Sequence, residues 1–161
     1  MELLKNWTDI RKHFSKSFGS SLHCAIASVD QDNKPTVTPI GSLFLNKDQT
    51  GFYFEKFPKN LPKNIESNPH ICVLAVNSSK WFWLRSLFKE KFQVYPALKL
   101  YGTVGDRRKA SPTELRALKL RMKFTSSLKG HKYLWNDMEY VRELTFTCVE
   151  KINIGKMTNR L

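Results

Sequence analysis

The sequence predicts one mainly β (α+β) domain, in which antiparallel strands are flanked by helices. Two observations predict the sheet: short runs rich in β-branched and aromatic residues, and the turn residues between them, such as Asn33 and Pro35. A third predicts the helices, because apolar residues recur at helical spacing near the N-terminus and again after residue 111. A chain of 161 residues with 41% apolar residues can close one hydrophobic core, so we expect residues 1–161 to form a single domain.

The predicted elements follow one another in a definite order. An amphipathic helix opens the chain and is expected to end at Gly19-Ser20-Ser21. Its apolar face consists of Leu3, Trp7, Ile10 and Phe14. Strands are expected at residues 22–29, 36–45, 51–54, 69–77, 93–105 and 141–154. Two further helices are expected at residues 60–68 and 112–124.

The predicted strand at residues 69–77 is apolar on both of its alternating faces. A strand that is wet on one side would alternate apolar and polar residues. We therefore expect one face to fill the interior of a barrel, and the other to meet a helix or a second subunit.

The start of the helix at residues 112–124 carries the clearest local signal. Ser111 stands at the N-cap, Pro112 at the first helical position, and Glu114 three residues after the cap, which together predict a capping box. The inner stripe of this helix is expected to consist of Leu115, Leu118 and Met122.

The charge of the chain is strongly positive and unevenly spread. The 27 Lys and Arg against 14 Asp and Glu give a net charge of +13, so the surface attracts anions. This excludes a neutral, inert scaffold and leaves nucleic acid, an acidic membrane surface or the phosphate of a small ligand as partners. Residues 80–132 hold fourteen Lys and Arg against Glu90, Asp106 and Glu114, an excess of eleven positive charges.

The three cysteines, Cys24, Cys72 and Cys148, are odd in number, far apart and set in apolar surroundings. This pattern is typical of reduced, buried thiols in a cytosolic protein and not of a disulfide framework. The N-terminus lacks the apolar core of a signal peptide, and no run approaches the ~18 apolar residues of a membrane span. We therefore expect a cytoplasmic protein without a membrane partner.

Motifs for a metal site or a protein nucleophile are missing from the sequence. The four histidines stand singly, so no metal site is predicted; they are His13, His23, His70 and His131. A Gly-rich phosphate loop, a GxSxG elbow and a Cys-His pair at usable spacing are also missing. If the chain is an enzyme, a cofactor supplies the chemistry, and no catalytic side chain is predicted.

Four segments together carry a family resemblance. They are residues 22–30 with the turn to Pro35, residues 36–44, residues 51–54, and residues 65–73 with Asn68-Pro69 at the entry to a strand. Their order and spacing resemble those of the flavin-binding split barrels of the pyridoxamine 5′-phosphate oxidase-like superfamily. The resemblance implies a six-stranded antiparallel split β-barrel with flanking helices. It also implies a homodimer with one FMN in each of two clefts at the subunit interface.

The resemblance further implies which residues bind FMN. The strand beside the isoalloxazine edge corresponds to Thr38, Pro39, Ile40, Gly41 and Ser42, whose backbone amides would bond the ring. The phosphate positions of the family fall on Phe54-Glu55 and on Lys59-Asn60-Leu61. At these positions the family's Ser-Arg-Lys trio is missing, and Glu55 adds a negative charge.

Three nearby lysines, Lys56, Lys59 and Lys63, are candidates to replace the missing phosphate ligands. Lys59 and Lys63 are four residues apart and share one face if the segment is helical. A phosphate at a helix N-terminus with ammonium groups nearby is physically favourable. The alternative is that the three lysines only solvate a surface turn.

The aromatic and basic stretch at residues 80–92 has the most unusual local composition, and Trp81, Trp83 and Arg85 stand within it. Three interpretations remain open for these residues. They pack at a dimer interface, where Trp, Phe and Arg are enriched. They form a lid over the flavin cleft that offers stacking and positive charge to an anionic substrate. They bind nucleic acid by stacking bases and neutralising phosphates.

The leading interpretation is an FMN-binding oxidoreductase that moves a hydride between the flavin and a small, anionic substrate. The alternative is a non-enzymatic split-barrel module that binds nucleic acid through the basic middle third of the chain. Haem-binding members of the same superfamily exist, and a single histidine would serve as an axial ligand, so haem is a minor alternative.

Overall fold

The computed structural model describes residues 2–159 and 161. This part of the chain forms seven strands, five α-helices and two 3-10 turns at Lys123–Thr125 and Gly155–Met157. The strands are β1 Cys24–Val29, β2 Pro35–Ile40, β3 Leu43–Leu45, β4 Thr50–Phe54, β5 His70–Val76, β6 Ala97–Lys109 and β7 Tyr140–Lys151. The helices are α1 Trp7–Ser21, α2 Asn60–Ser67, α3 Lys80–Phe88, α4 Pro112–Arg121 and α5 His131–Trp135.

The strands belong to one antiparallel sheet with the order β2-β1-β5-β6-β7-β4-β3. β2 and β3 follow each other along the chain but lie at opposite edges of this sheet. Only Gly41 and Ser42 separate them, and a link of that length reaches about 10 Å. The two edges must therefore approach each other, which curls the sheet into a half-barrel.

The prediction of six strands was wrong, because the predicted strand at residues 36–45 is two strands. Ile40 still pairs with Cys24 of β1, whereas Leu43 pairs with Tyr53 of β4. The chain thus changes partner strand across Gly41 and Ser42. Residues 36–45 have the composition of one continuous strand. Their residue types do not reveal that the first half pairs with β1 and the second half with β4.

The first helix ends within the predicted segment Gly19-Ser20-Ser21, but its start leaves the predicted face residue Leu3 outside the helix. It begins at Trp7, and it continues through Gly19 to Ser21. Leu22 ends the helix in a left-handed conformation with φ 63°, and its N–H donates to the Phe18 carbonyl at 2.7 Å. One glycine in an exposed helical turn costs only about 1 kcal/mol, so Gly19 is tolerated where the opposite face is packed.

Three other boundaries differ from prediction. β6 begins at Ala97 rather than residue 93, directly after Pro96, which has no N–H to donate to a neighbouring strand. The α-helical part of the predicted helix at residues 112–124 ends at Arg121, and a 3-10 turn follows. β7 ends at Lys151 rather than residue 154.

β6 and β7 form the longest pairing in the sheet and contain two register shifts. The first shift lies between Tyr101 and Gly102. A Cβ at Gly102 would lie 2.1 Å from the Thr145 carbonyl oxygen, so only glycine allows the two backbones to approach this closely.

The main hydrophobic core lies between α1 and the sheet. Trp7, Ile10 and Phe14 pack in one cluster with Ile71 and Val73 of β5, all of them buried. The opposite face of β5 is only half-buried in the single chain; it consists of Cys72, Leu74 and Val76. One face of this strand is therefore fully covered within the chain, and the other is covered only in part.

A second core cluster lies under α4. The capping box is confirmed, because Ser111 Oγ accepts from the Glu114 N–H at 3.3 Å and Glu114 accepts from the Ser111 N–H at 2.7 Å. Leu118 and Met122 are buried against Phe52 and Phe54 of β4, and Leu115 is partly buried beside them. Over residues 2–159 and 161, no helix is long and apolar enough to cross a membrane.

Candidate functional site

A cleft of about 310 Å³ lies beside the turn between β2 and β3, and we call it the β2 cleft. It is lined by Thr38, Pro39, Ile40, Gly41, Ser42, Phe54, Phe57, Pro58, Leu134, Trp135 and Met138. Six of these residues are the ones that the family resemblance assigns to the flavin: the five from Thr38 to Ser42, together with Phe54. Five of the six are consecutive along the chain. They therefore line the same cavity as soon as this one segment faces it.

The strand β2 supplies backbone polar groups to the cleft. It lies at an edge of the sheet and pairs only with β1, so alternate backbone groups have no partner strand, and Pro35 and Pro39 contribute carbonyl groups only. The side chain of Ser42 fixes the turn that follows: its hydroxyl donates to the Phe54 carbonyl and accepts from the Phe54 N–H, both at 3.2 Å. The edge of β2 is thereby held beside the ring of Phe54.

The helix α5 covers the cleft from the opposite side. A Cβ at Gly41 would lie 3.1 Å from the outer ring carbon of Trp135. The indole therefore packs directly against the backbone of the turn. A side chain larger than that of glycine at position 41 would push it away. Trp135, Phe54 and Phe57 are the three aromatic residues of a mostly apolar lining.

Lys56 lies next to the cleft but is occupied by α5. Its ammonium group donates to the carbonyl oxygens of Asn136 and Tyr133, the latter at 3.5 Å. It also lies 5.1 Å from the centre of the Phe57 ring. A cation favours the carbonyl end of a helix, so Lys56 holds α5 over the cleft in this structure.

The other two candidate phosphate lysines lie outside the cleft lining. Lys59 is exposed at the N-cap of α2. Lys63 lines a separate groove together with three carboxylates, those of Asp30, Asp32 and Glu66. The carboxylates would repel a phosphate in that groove, so Lys63 and the β2 cleft belong to different electrostatic environments.

Glu55, the acidic departure from the family pattern, is neutralised by two arginines. Arg107 Nε lies 3.1 Å from one of its carboxylate oxygens, and Arg142 Nε donates to the other. The hydroxyl of Tyr53 donates to the same carboxylate at 3.4 Å. Burial, with the nearby carboxylate, raises the pKa of Tyr53. Glu55 therefore serves an ion-pair cluster under the sheet and does not line the cleft.

The aromatic and basic stretch forms α3, and none of the residues of α3 lines the β2 cleft. Trp83 is half-buried, donates from Nε1 to the Asn77 carbonyl at 2.7 Å, and packs edge-on against Phe92. Trp81 is 73% exposed, and Arg85 is exposed beside it. Among the described residues, none lines both the groove at Trp81 and Arg85 and the β2 cleft.

The basic middle third is partly neutralised by long-range ion pairs. Arg108 donates to both carboxylate oxygens of Glu114, at 2.8 and 3.0 Å, and to Glu143 at 2.6 Å. These contacts raise the pKa of Arg108, and the Arg108 guanidinium lowers the pKa of Glu114. The charge excess of residues 80–132 is therefore smaller at the end of β6 than the sequence indicates.

The described residues contain no cluster of His, Cys, Asp and Glu that could hold a metal ion. The four histidines all lie outside the lining of the β2 cleft. The cysteines are free, but the expectation that all are buried was wrong: Cys24 is buried, Cys72 is half-buried and Cys148 is exposed. Burial raises the pKa of Cys24 to about 11, so this thiol is a poor nucleophile.

Sequence reasoning missed five residues of the cleft: Phe57, Pro58, Leu134, Trp135 and Met138. The last three belong to the segment around residues 131–140, for which no role was predicted. Its large apolar residues within a polar stretch were the only available signal. Their partner surface at residues 38–42 is more than ninety positions away, so spacing along the chain does not reveal the contact.

No protein-family model and no curated protein sequence matches this chain. Solved structures do match it. An FMN-binding protein from Syntrophomonas wolfei has a TM-score of 0.62 at 10% identity, with 93% of this chain and 94% of that chain covered. A candidate pyridoxamine 5′-phosphate oxidase from Listeria innocua has a TM-score of 0.55 at 12% identity, with coverage of 90% and 99%.

HutZ, the haem storage protein from Vibrio cholerae, has a TM-score of 0.53 at 12% identity, with 94% of this chain and 95% of that chain covered. At these identities the matches bear on the fold and not on the ligand. Together with the curled sheet, the crossover at residues 41–42 and the flanking helices, they lead to one conclusion. The chain shares the split-barrel fold of these solved structures.

Proposed function

We propose that this protein is a homodimeric FMN-binding oxidoreductase that acts on a small, anionic substrate. The observation that carries the proposal is the β2 cleft, because the segment that the family resemblance assigns to the flavin lines it together with aromatic side chains. FMN, when bound, would accept or give a hydride, and the protein would orient the substrate against it.

The chemistry of the cleft suits a planar, apolar ring with polar edges. Unpaired backbone groups along β2 are available to the edge of such a ring, and Trp135 and Phe54 offer aromatic faces. Offset stacking of aromatic groups contributes about 0.5–1.5 kcal/mol beyond the area that it buries. The residues that would hold the ring are therefore Thr38 to Ser42, Phe54 and Trp135.

The phosphate of FMN would require a cation at the margin of the cleft. Lys56 is the nearest candidate, but its ammonium group is bonded to the carbonyl oxygens of Tyr133 and Asn136. Phosphate binding would exchange these carbonyl contacts for a charged one, which is a stronger hydrogen bond. Lys59, which is three positions after Lys56 at the N-cap of α2, is a second candidate ligand.

The proposal of a homodimer rests on a sheet face that the single chain covers only in part and on the size of the cleft. On the outer face, Ala25 of β1 pairs with Leu74 of β5, and Ala27 pairs with Cys72. None of these four residues is buried in the single chain. The cleft volume of about 310 Å³ is also at the lower end of the usual range for ligand pockets, about 300–1,000 Å³. A second copy on this face would cover it and enlarge the site.

The proposal is tested by adding FMN to the purified protein and recording flavin absorbance and fluorescence after gel filtration. We expect flavin to elute with a dimer. A protein that retains no flavin contradicts the cofactor, and uptake of haem with its own absorption spectrum favours the haem alternative instead. The substitution Leu74→Glu on the outer face of β5 is expected to yield monomers that bind FMN more weakly.

A variant of the cleft wall localises the flavin. Trp135→Ala removes one aromatic face and is expected to weaken FMN binding about three- to tenfold. Trp81→Ala removes an indole of the same size from the exposed face of α3 and serves as the matched control. Equal effects of the two substitutions would contradict the placement of FMN in the β2 cleft.

A second candidate function is nucleic-acid binding, favoured by the exposed surface of α3. Trp81 and Phe88 are 73% and 81% exposed, and Lys80, Arg85 and Lys89 lie exposed beside them. Exposed aromatic rings among cations can stack bases and neutralise phosphates. Affinity for single-stranded oligonucleotides should then rise as salt falls, and absence of binding at low salt contradicts this function.

A further inference from the structure

A second cavity, of about 230 Å³, lies between α1, β3 and α4, and we call it the arginine cavity. Its lining includes Arg11, Ser15, Phe18, Cys24, Phe44 and Arg121. Among the described residues, none lines both this cavity and the β2 cleft. A water molecule takes about 30 Å³ in the liquid, so the cavity has room for a group several waters in size.

Arg121 reaches this cavity from the last turn of α4 and is held there by two aromatic rings. Its guanidinium carbon lies 3.4 Å from the centre of the Phe44 ring and 4.4 Å from that of Phe18. One of its N–H groups donates to the Leu43 carbonyl. Cation–π contacts of this kind restrict the plane of the guanidinium, so its direction into the cavity is fixed.

Arg11 reaches the same cavity from α1. Its Nε donates to the Leu45 carbonyl at 3.2 Å, so both arginines are anchored on carbonyl groups of β3. An arginine has five N–H donors, and a single carbonyl occupies only one of them. The remaining donors of Arg11 and Arg121 are not among the fully buried unsatisfied groups of the described residues. They therefore contact solvent, and both side chains line the cavity.

Neither arginine has a carboxylate partner among residues 2–159 and 161. The cavity lining likewise contains no Asp or Glu. Burial lowers the pKa of the Arg121 guanidinium, because the charged form loses hydration that no counter-ion replaces. Two cations that share a partly buried cavity disfavour each other, and an anion between them would remove that cost.

We propose that the arginine cavity binds a phosphate group, carried by a small ligand or as the free ion. The planar forks of Arg11 and Arg121 match the tetrahedral oxygens of phosphate, and two such forks would bind it from two sides. The hydroxyl of Ser15 lies in the same lining and adds a further donor. Because the rings of Phe18 and Phe44 already hold Arg121 in place, little side-chain freedom is lost on binding.

This site is separate from the proposed flavin site, so the two proposals can fail independently. Isothermal titration of inorganic phosphate into the full-length protein, at constant ionic strength with chloride as the background ion, tests it. We expect saturable binding of one phosphate per chain that chloride does not reproduce. Absence of saturable phosphate binding by the unmodified protein would overturn the proposal.

Variants of the two arginines assign the site. Arg121→Met and Arg11→Gln are each expected to weaken phosphate binding at least about tenfold, since each removes one charge-assisted fork. Arg116→Gln, on an exposed position of α4, removes the same charge outside the cavity and should leave affinity within about twofold. Unchanged affinity in Arg11→Gln would overturn the proposal even if Arg121→Met did not fold.

A conservative variant separates the fork from the charge. Arg11→Lys keeps the positive charge but loses the planar pair of donors. Affinity between those of the unmodified protein and Arg11→Gln supports bidentate binding. FMN added to the same titration provides the other control: phosphate binding that persists with FMN bound confirms two separate sites, whereas competition between them overturns the assignment to this cavity.

Discussion

Arg108 and Arg121 lie thirteen positions apart in the same basic segment, and their surroundings are opposite. Arg108 at the end of β6 is paired with the carboxylates of Glu114 and Glu143, and its pKa is raised. Arg121 at the end of α4 is stacked between Phe18 and Phe44 without a carboxylate, and its pKa is lowered. A positive charge is therefore available to a ligand only where the fold has not already supplied a counter-ion.

The same distinction applies to the whole charge excess of the chain. Three arginines form an ion-pair region with Glu55, Glu114 and Glu143; they are Arg107 and Arg108 of β6 and Arg142 of β7. The arginine cavity has no acidic residue in its lining. A net charge of +13 therefore does not show where an anion binds, because the arginines of the ion-pair region have carboxylate partners and those of the arginine cavity do not.

The largest expected effect comes from breaking the ion-pair region at Glu55. The side chains of Glu55 and Arg142 are only 9% and 13% exposed. Glu55→Gln would leave the Arg142 charge nearly buried and unpaired, so we expect a loss of about 3 kcal/mol in the free energy of unfolding, measured with urea. Glu150→Gln, which removes a carboxylate from the exposed pair with Lys99, is the control and should change stability little. Equal losses would show that burial does not govern these pairs.

A matched pair of substitutions tests the comparison directly. Arg108→Met removes two partly exposed ion pairs, and we expect it to lower the free energy of unfolding by about 1 kcal/mol after screening by solvent. Arg121→Met removes a buried charge without a counter-ion, so in phosphate-free buffer stability should stay unchanged or rise by up to about 1 kcal/mol. Urea denaturation of both variants measures the difference. A larger loss for Arg121→Met than for Arg108→Met would contradict the distinction between the two regions.

The smallest expected effect is a pH dependence from Glu114. Its ordinary pKa of 4.5 is lowered in the folded protein, first by the hydrogen bond from Arg108. The stabilisation is therefore complete above about pH 4.5 and is lost as the pH falls through the lower folded pKa. In thermal unfolding curves from pH 7 to pH 3, Glu114→Gln should flatten part of the acid decline. A decline of unchanged slope would mean that other carboxylates carry it.

Much of the fold was predictable because its signals are local. The capping box at Ser111 and Glu114 depends on two residues three positions apart, and it is present as predicted. The strand count was not predictable, because the residue types on either side of Gly41 and Ser42 do not reveal that Ile40 pairs with β1 and Leu43 with β4. The end of α1 lies in the predicted segment Gly19-Ser20-Ser21, but the left-handed cap that follows is Leu22, in a conformation that favours glycine, and residue type did not reveal it.

The candidate site divides in the same way. Thr38 to Ser42 come together at the β2 cleft since they are consecutive, whereas the three lysines separate according to their partners. Lys56 contacts the carbonyl end of α5, and Lys63 lies among carboxylates. Trp135 and Met138 reach the cleft from a segment with no predicted role. These placements depend on packing between distant parts of the chain, so they could not be predicted from the local pattern of residue types.

The sequence by itself determined the class of the fold, the order of most elements and the segment at residues 38–42 on which the functional proposal rests. Each of these depends on residue type and spacing over a few positions. Only the tertiary structure decided which charges are neutralised, which are left open and which side chains cover the cleft. The physical reason is that burial and counter-ions come from residues distant in the chain, such as Glu143 for Arg108 and Phe18 for Arg121.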